Sequence, residues 1–242
     1  MKKLLIALLF APLAAWSAAV GYRLDRAPID PTDLVSLQSG AQLFINYCMN
    51  CHGAQYMRYN RLVALGLTEA QIRDNLIFTG EKVGDTMRVA MTPKDGKAWF
   101  GVPPPDLSLV GRSRGADWLY TYLRTFYRDP KSPTGWNNAV FPNVAMPHAL
   151  WLLQGERALE IAHVKDKAGH DAVEYRWRQL APGALSPARY DAAVRDLVNF
   201  LMYVAEPEAR TRKTVGIVVL FVLGVLFVLA YALKKEYWKD VK

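Results

Sequence analysis

Apolar residues along this chain form two uninterrupted blocks, one near each end, with a periodic pattern between them. The first block opens Met1-Lys2-Lys3, runs uncharged from Leu4 to Ala19 and closes on Ser17, Ala18 and Ala19. A basic start, an apolar stretch and a small-residue end are the layout of a secretory signal peptide, so residues 1–19 are expected to direct export and then be removed. The second block, Thr214 to Leu233, holds 20 residues without a charge and shows no polar face. At about 1.5 Å per residue it covers roughly 30 Å, the hydrocarbon thickness of a bilayer, which predicts a transmembrane helix over 214–233. Arg210, Arg212 and Lys213 precede it while Lys234, Lys235, Lys239 and Lys242 follow, so charge alone only leans toward a cytoplasmic C-terminus. The export signal decides the orientation: residues 20–213 form a periplasmic domain anchored in the inner membrane of a bacterium, and 234–242 a cytoplasmic tail.

Between the blocks the pattern is mainly helical. Ser39 to Tyr47 reads as a helix, 54–65 as another, and the Thr68-Glu69-Ala70-Gln71 capping pattern opens a third. Gly80, Gly84, Pro93, Gly96 and Gly101 mark a long loop. Asp117 to Arg128 carries Trp118, Leu119, Leu123, Phe126 and Tyr127 at helical spacing and ends at Asp129-Pro130. Polar and apolar residues alternate in Val173-Glu174-Tyr175-Arg176-Trp177, and Lys167 to His170 reads as a turn, so 158–180 is expected to be a β-hairpin. Ser186-Pro187 starts a last helix with Tyr190, Ala193, Val194, Leu197, Leu201 and Val204 on one core-facing stripe.

Charge changes this picture little. Residues 20–213 hold 24 basic and 20 acidic side chains, a net +4 without basic runs, so nucleic acid is not an expected partner.

The cysteines change it more. An exported domain would ordinarily join them as a disulfide. Here the only two sit in Cys48-Met49-Asn50-Cys51-His52, the C-x-x-C-H pattern of covalent haem attachment. On a helical turn positions i, i+3 and i+4 share a face, which lets both sulfurs reach the porphyrin vinyl groups while His52 points at the iron. A thioredoxin-like redox pair does not need His52, and a zinc site lacks a second cysteine pair. One covalent haem c is therefore expected. The candidates for a sixth iron ligand are Met49, Met57, Met87, Met91, Met146, Met202, His148, His163 and His170. Most methionines fill cores. Met146 differs by lying in the irregular segment Phe141-Pro142-Asn143-Val144-Ala145-Met146-Pro147, where Pro147 favours an extended backbone. Met87 and Met91, in the loop before it, are its main rivals, and His148 would give a bis-histidine iron of lower potential.

With these residues in view, the chain resembles the cytochrome c1 family over most of residues 36–242. The likeness rests on Cys48 to His52, Tyr56-Met57-Arg58-Tyr59-Asn60-Arg61-Leu62, Pro104-Pro105-Asp106-Leu107-Ser108 followed by Arg112-Ser113-Arg114, the Met146-Pro147 loop, Ala205-Glu206-Pro207-Glu208 and the C-terminal span. It implies a mainly α c-type cytochrome domain with long loop insertions and a small β-hairpin, plus one C-terminal transmembrane helix. It also implies thioethers at Cys48 and Cys51, axial ligands His52 and Met146, Pro105 at the cofactor, and a haem propionate paired with Arg114. By family resemblance the partners are cytochrome b and a Rieske iron-sulfur subunit in a dimeric bc1 complex within the lipid bilayer, and a soluble cytochrome c. The mitochondrial branch reads Met-Ala-Pro-Pro where this chain has Met146-Pro147-His148, and the extra disulfide of some relatives has no cysteines here. Relatives that dock a basic cytochrome use acidic patches, whereas this domain is mildly basic. A freely tethered cytochrome feeding an oxidase and a haem-based sensor are the competing readings.

Overall fold

The computed structural model describes residues 22–165 and 171–240. The expected signal peptide and the expected hairpin turn from Lys167 to His170 lie outside the described residues.

Helix α1 (Leu34–Leu43) starts where Asp33 accepts the amide of Ser36, and it runs on as a wider π turn, Phe44–Cys48, that ends on the first cysteine. The stretch expected to be a helix over 54–65 is instead a strand, β1 (Ala54–Arg58), followed by a 3-10 turn, Tyr59–Leu65. The cause lies in the backbone partners: the amides of Gln55 and Tyr56 donate to Asp106 Oδ2 and Ser108 Oγ, so they are not free to close helical turns. Helix α2 (Glu69–Leu76) opens on the expected capping box of Thr68 and Gln71. A two-residue strand β2 (Thr86–Met87) pairs antiparallel with β1. The expected long loop contains helix α3 (Pro93–Phe100), started by Thr92 as cap and Pro93 in the first turn.

Helices α4 (Val110–Arg114) and α5 (Ala116–Arg124) follow. The helix expected to continue to Arg128 stops at Arg124, because β3 (Phe126–Arg128) pairs with β4 (Trp136–Asn138) and Thr125 Oγ turns back onto the Thr121 carbonyl at 2.8 Å. A short helix α6 (Trp151–Gln154) leads into the long hairpin of β5 (Gly155–Lys165) and β6 (Asp171–Pro182), which agrees with the expected one and extends it at its base.

Helix α7 (Pro187–Ala205) is the central element, and it buries Tyr190, Val194, Leu197, Leu201 and Val204 of the stripe the periodicity predicts, while Ala193 is only half-buried. Against it α1 packs so closely that a Cβ on Gly40 would lie 2.0 Å from the Asp196 carbonyl oxygen, and Phe44 meets Phe200 with ring centres 5.7 Å apart. The crossing is pinned by polar contacts: Ser36 Oγ donates to Asp196 Oδ1 at 2.7 Å, and Asn199 Nδ2 donates to the Asp30 carbonyl at 2.6 Å. Helix α5 joins the same bundle through Arg124, whose guanidinium is shared by Asp191 and Asp25, and through Tyr190, whose hydroxyl donates to the Leu123 carbonyl at 2.8 Å. The last helix, α8 (Ala209–Tyr237), leaves this bundle with its apolar side chains uncovered by the rest of the described residues. Its segment Thr211–Tyr237 is long and apolar enough to cross a membrane. The expected span 214–233 falls inside it.

Because the α1–α7 crossing has no room for a methyl group, Gly40→Ala is expected to cost about 1–3 kcal/mol and to lower the melting temperature of the detergent-solubilised protein by roughly 3–10 °C. Thermal denaturation followed by far-ultraviolet circular dichroism measures this; an unchanged melting temperature would contradict the packing described.

Candidate haem-attachment site

The π turn that closes α1 delivers the haem pentapeptide. The Met49 amide donates to the Phe44 carbonyl at 2.9 Å, and the amides of Cys51 and His52 both donate to the Cys48 carbonyl, at 3.1 and 2.8 Å. Cys48, Cys51 and His52 thus sit on one tight turn. The Cys48 sulfur is buried, and burial together with the neighbouring Cys51 pushes its thiol up to about 12. Cys51 is less enclosed and its thiol is raised for the first of those reasons.

His52 is buried, and its Nδ1 donates to the Pro105 carbonyl at 2.7 Å. That bond leaves Nε2 as the free lone pair, and burial lowers the ring's proton affinity, so the neutral, ligating form is the stable one. Pro105 does not act alone. Three further bonds zip residues 105–108 to the segment after His52: the Leu107 amide to the Gly53 carbonyl at 2.8 Å, the Gln55 amide to Asp106 Oδ2 at 2.8 Å and the Tyr56 amide to Ser108 Oγ at 3.1 Å. Asp106 also accepts the Ser108 amide, at 2.9 Å, which bends the clamp into shape. The Pro104 to Ser108 segment is therefore the backing of the imidazole.

A second set of residues comes from α5 and β3 on one side and the loop 139–148 on the other. Trp118, Tyr122 and Phe126 succeed one another every fourth residue. Trp118 stacks on Tyr122 at 4.7 Å and 11°, and Tyr122 meets Phe126 edge-on at 5.1 Å. The loop docks on this ladder at three rungs. Phe141 lies edge-on to Trp118 at 6.4 Å, the Tyr122 hydroxyl donates to Met146 Sδ at 3.3 Å, and His148 stacks on Phe126 at 4.8 Å and 4°. Two buried asparagines build the loop. Asn138 donates to the Tyr122 carbonyl at 2.8 Å and accepts the amides of Val140 and Phe141, while Asn137 accepts the amide of Asn143, a residue in the left-handed region at φ 60°.

The other candidate ligands sit in different surroundings. Met49, Met57 and Met87 are packed in the core, and Met87 pairs across the β1–β2 ladder with Ala54. Met91 lies against Gly96 of α3 and Met202 against Gly111 of α4. His148 is buried with its Nε2 bonded to Gln154 Oε1 at 2.7 Å, and burial lowers it to about 3. The strand pairing of His163 places it in the hairpin, and His170 lies outside the described residues. Arg114 is exposed, with its guanidinium 4.8 Å from the Trp118 ring centre, and makes no ion pair among the described residues. The donor set fits a haem: paired sulfurs on one turn, an imidazole fixed through Nδ1, and a thioether held by a hydroxyl. Tyr122, Asn137 and Asn138 carry no motif, and only the four-residue aromatic spacing hinted at the first.

Fold and site together define a c-type cytochrome with a membrane anchor. The chain belongs to the cytochrome c1 family, whose model matches residues 25–241. It is 49% identical to a cytochrome c1 of Allochromatium vinosum, with the whole of both chains covered. It is also 49% identical to a protein of Nitrosomonas europaea named ammonia monooxygenase gamma subunit, over all of this chain and 98% of that one. A cytochrome c1 of Rhodospirillum rubrum is 30% identical, over 87% of this chain and 83% of its own. The protein is thus a haem c-carrying electron-transfer subunit of a bc1 complex, and Cys48 and Cys51 fit its attachment motif.

Asn138→Ala would leave the Val140 and Phe141 amides without the acceptor that gathers them and would remove one of the donors to the Tyr122 carbonyl. It is expected to destabilise the domain by about 2–4 kcal/mol, read as a lower urea midpoint for haem-domain unfolding; a midpoint equal to wild type would show that the loop is held by other means.

Proposed function

We propose that residues 20–213 lie in the periplasm and carry single electrons from a Rieske iron-sulfur protein to a soluble cytochrome c, beside cytochrome b in a dimeric quinol-oxidising complex. The reading is carried by one observation: His52, fixed by Pro105, and Met146, held by Tyr122, are presented by separate parts of the fold, each already oriented. When bound, haem supplies a one-electron iron couple, which is the chemistry such a carrier needs. Cys48 and Cys51 would anchor it through thioethers, and His52 Nε2 and Met146 Sδ would hold its iron. Arg114, which lies on Trp118 and makes no ion pair among the described residues, would pair with a propionate, the planar anion that a guanidinium fork suits. A thioether ligand weights the reduced state and raises the potential, in keeping with a late position in an electron-transfer chain. The subunit makes and breaks no substrate bonds.

A freely tethered cytochrome needs a flexible linker between domain and span. Here α7 and α8 are separated by three residues, and the junction is cross-linked. Glu208 pairs with Arg61 of the 3-10 turn, Arg212 with Glu206 at 2.7 Å, and the Tyr203 hydroxyl donates to the Arg61 carbonyl at 3.0 Å. These contacts favour a domain seated on its anchor, as a subunit in a fixed complex would be. A gas sensor would need a weakly filled sixth site.

Two measurements decide between these. The protein purified in mild detergent is expected to bring a b-type cytochrome and a Rieske protein with it, and their absence would remove the bc1 assignment of partners. The oxidised protein is expected to show the near-infrared charge-transfer band of methionine-ligated iron, abolished by Met146→Ala and kept in Met87→Ala and Met91→Ala. A band that survives Met146→Ala would reassign the ligand.

A further inference from the structure

We infer that the Tyr122 hydroxyl is a tuning group for the iron: it stays hydrogen-bonded to the Met146 sulfur when that sulfur is a ligand, and by doing so raises the reduction potential. The inference rests on Met146 being the axial ligand. A thioether sulfur has two lone pairs, so one can be given to the iron while the other accepts from a hydroxyl. The Oη to Sδ distance of 3.3 Å is a hydrogen bond to sulfur, and Sδ is the hydroxyl's partner in the structure.

The geometry of Tyr122 leaves its hydroxyl little else to do. The ring is stacked on Trp118 and wedged edge-on by Phe126, and the residue is 9% exposed. Its backbone carbonyl is tied to Asn138, the same residue that gathers the amides at the start of the methionine loop. Donor and acceptor are therefore fixed to each other through both main chain and side chain. A loop that only needed a packing contact at this rung could use phenylalanine, as the next rung does at Phe126. A donor at the sulfur withdraws lone-pair density and makes the thioether a weaker donor to iron. Oxidised iron, carrying the larger charge, loses more from that than reduced iron, so the reduced state is favoured. The donor ring is buried, which strengthens such polarisation relative to a bond in water.

Tyr122→Phe keeps the ring and its stacking and removes only the hydroxyl. In the intact detergent-solubilised complex, this variant is expected to keep the near-infrared methionine band and to show a lower midpoint potential for haem c. At a fixed ambient potential, the ratio of reduced to oxidised haem should fall by roughly 2- to 10-fold, the range a single hydrogen bond supplies. Tyr127→Phe is the control, since Tyr127 sits on the other face of β3 against Trp177, and it is expected to leave the potential where it was. A Tyr122→Phe protein that retains the band with an unchanged or higher potential overturns the inference. So does loss of the band in that variant, which would make the hydroxyl a prop for the ligand and not a tuning group. Failure of the Met146 reading itself shows separately, as a band that persists in Met146→Ala.

Discussion

An imidazole can serve an iron atom only if its ring is held and its proton is on the far nitrogen, and a single bond of 2.7 Å from His52 Nδ1 to the Pro105 carbonyl does both. Much of the domain's departure from simple helical packing follows from making that bond possible. Pro105 has to be brought 53 residues along the chain to meet His52, and it is fixed there by Asp106, Leu107 and Ser108. Those residues take the amides of Gln55 and Tyr56, which turns the segment after the pentapeptide into a strand. The strand recruits β2, and α3 covers the clamp from outside: a Cβ on Gly96 would lie 2.6 Å from the Pro104 ring. The first part of the long insertion between His52 and Met146, from Gly53 to Ser108, thus includes the support of one histidine.

The other half of the site obeys a different logic. Where the histidine clamp is made of hydrogen bonds between main-chain groups and the side chains of His52, Asp106 and Ser108, the methionine loop is seated on aromatic faces and braced by two asparagines. Planar rings every fourth residue give the loop a flat, rigid track, and Asn137 and Asn138 supply the acceptors that a loop without regular structure cannot find in itself. Both halves rest on α7, which α1 crosses on one side and α4 and α5 touch on others, so the positions of His52 and Met146 are referred to one rigid element. The seam at Arg61, Glu208 and Tyr203 then refers that element to the membrane span.

Much of this was legible in the residues. The pentapeptide, the capping box at Thr68, the stripe on α7, the hairpin and the apolar span are local patterns, and local patterns are what a single sequence displays. Met146 stood out for a local reason too, its place before Pro147. The misreadings share a physical cause. Residues 54–58 have helical composition, yet their amides are claimed by side chains fifty positions away. Phe126 to Arg128 continue a helical pattern but pair with a strand eight residues beyond. The helix at Pro93 was hidden by Gly96, whose lack of a side chain serves contact with Pro103 and Pro104 and not flexibility. Tyr122 was missed because its role depends on a sulfur 24 residues later.

The central claim is that one haem is held between an imidazole fixed by Pro105 and a thioether fixed by Tyr122. A cryo-electron microscopy map of the purified complex tests it most directly. The account predicts His52 Nε2 and Met146 Sδ on opposite faces of a haem joined to Cys48 and Cys51, with Pro105 O and Tyr122 Oη still within hydrogen-bond distance of His52 Nδ1 and Met146 Sδ. A different side chain on the iron opposite His52, or a haem whose Met146 has swung away from Tyr122, would contradict it.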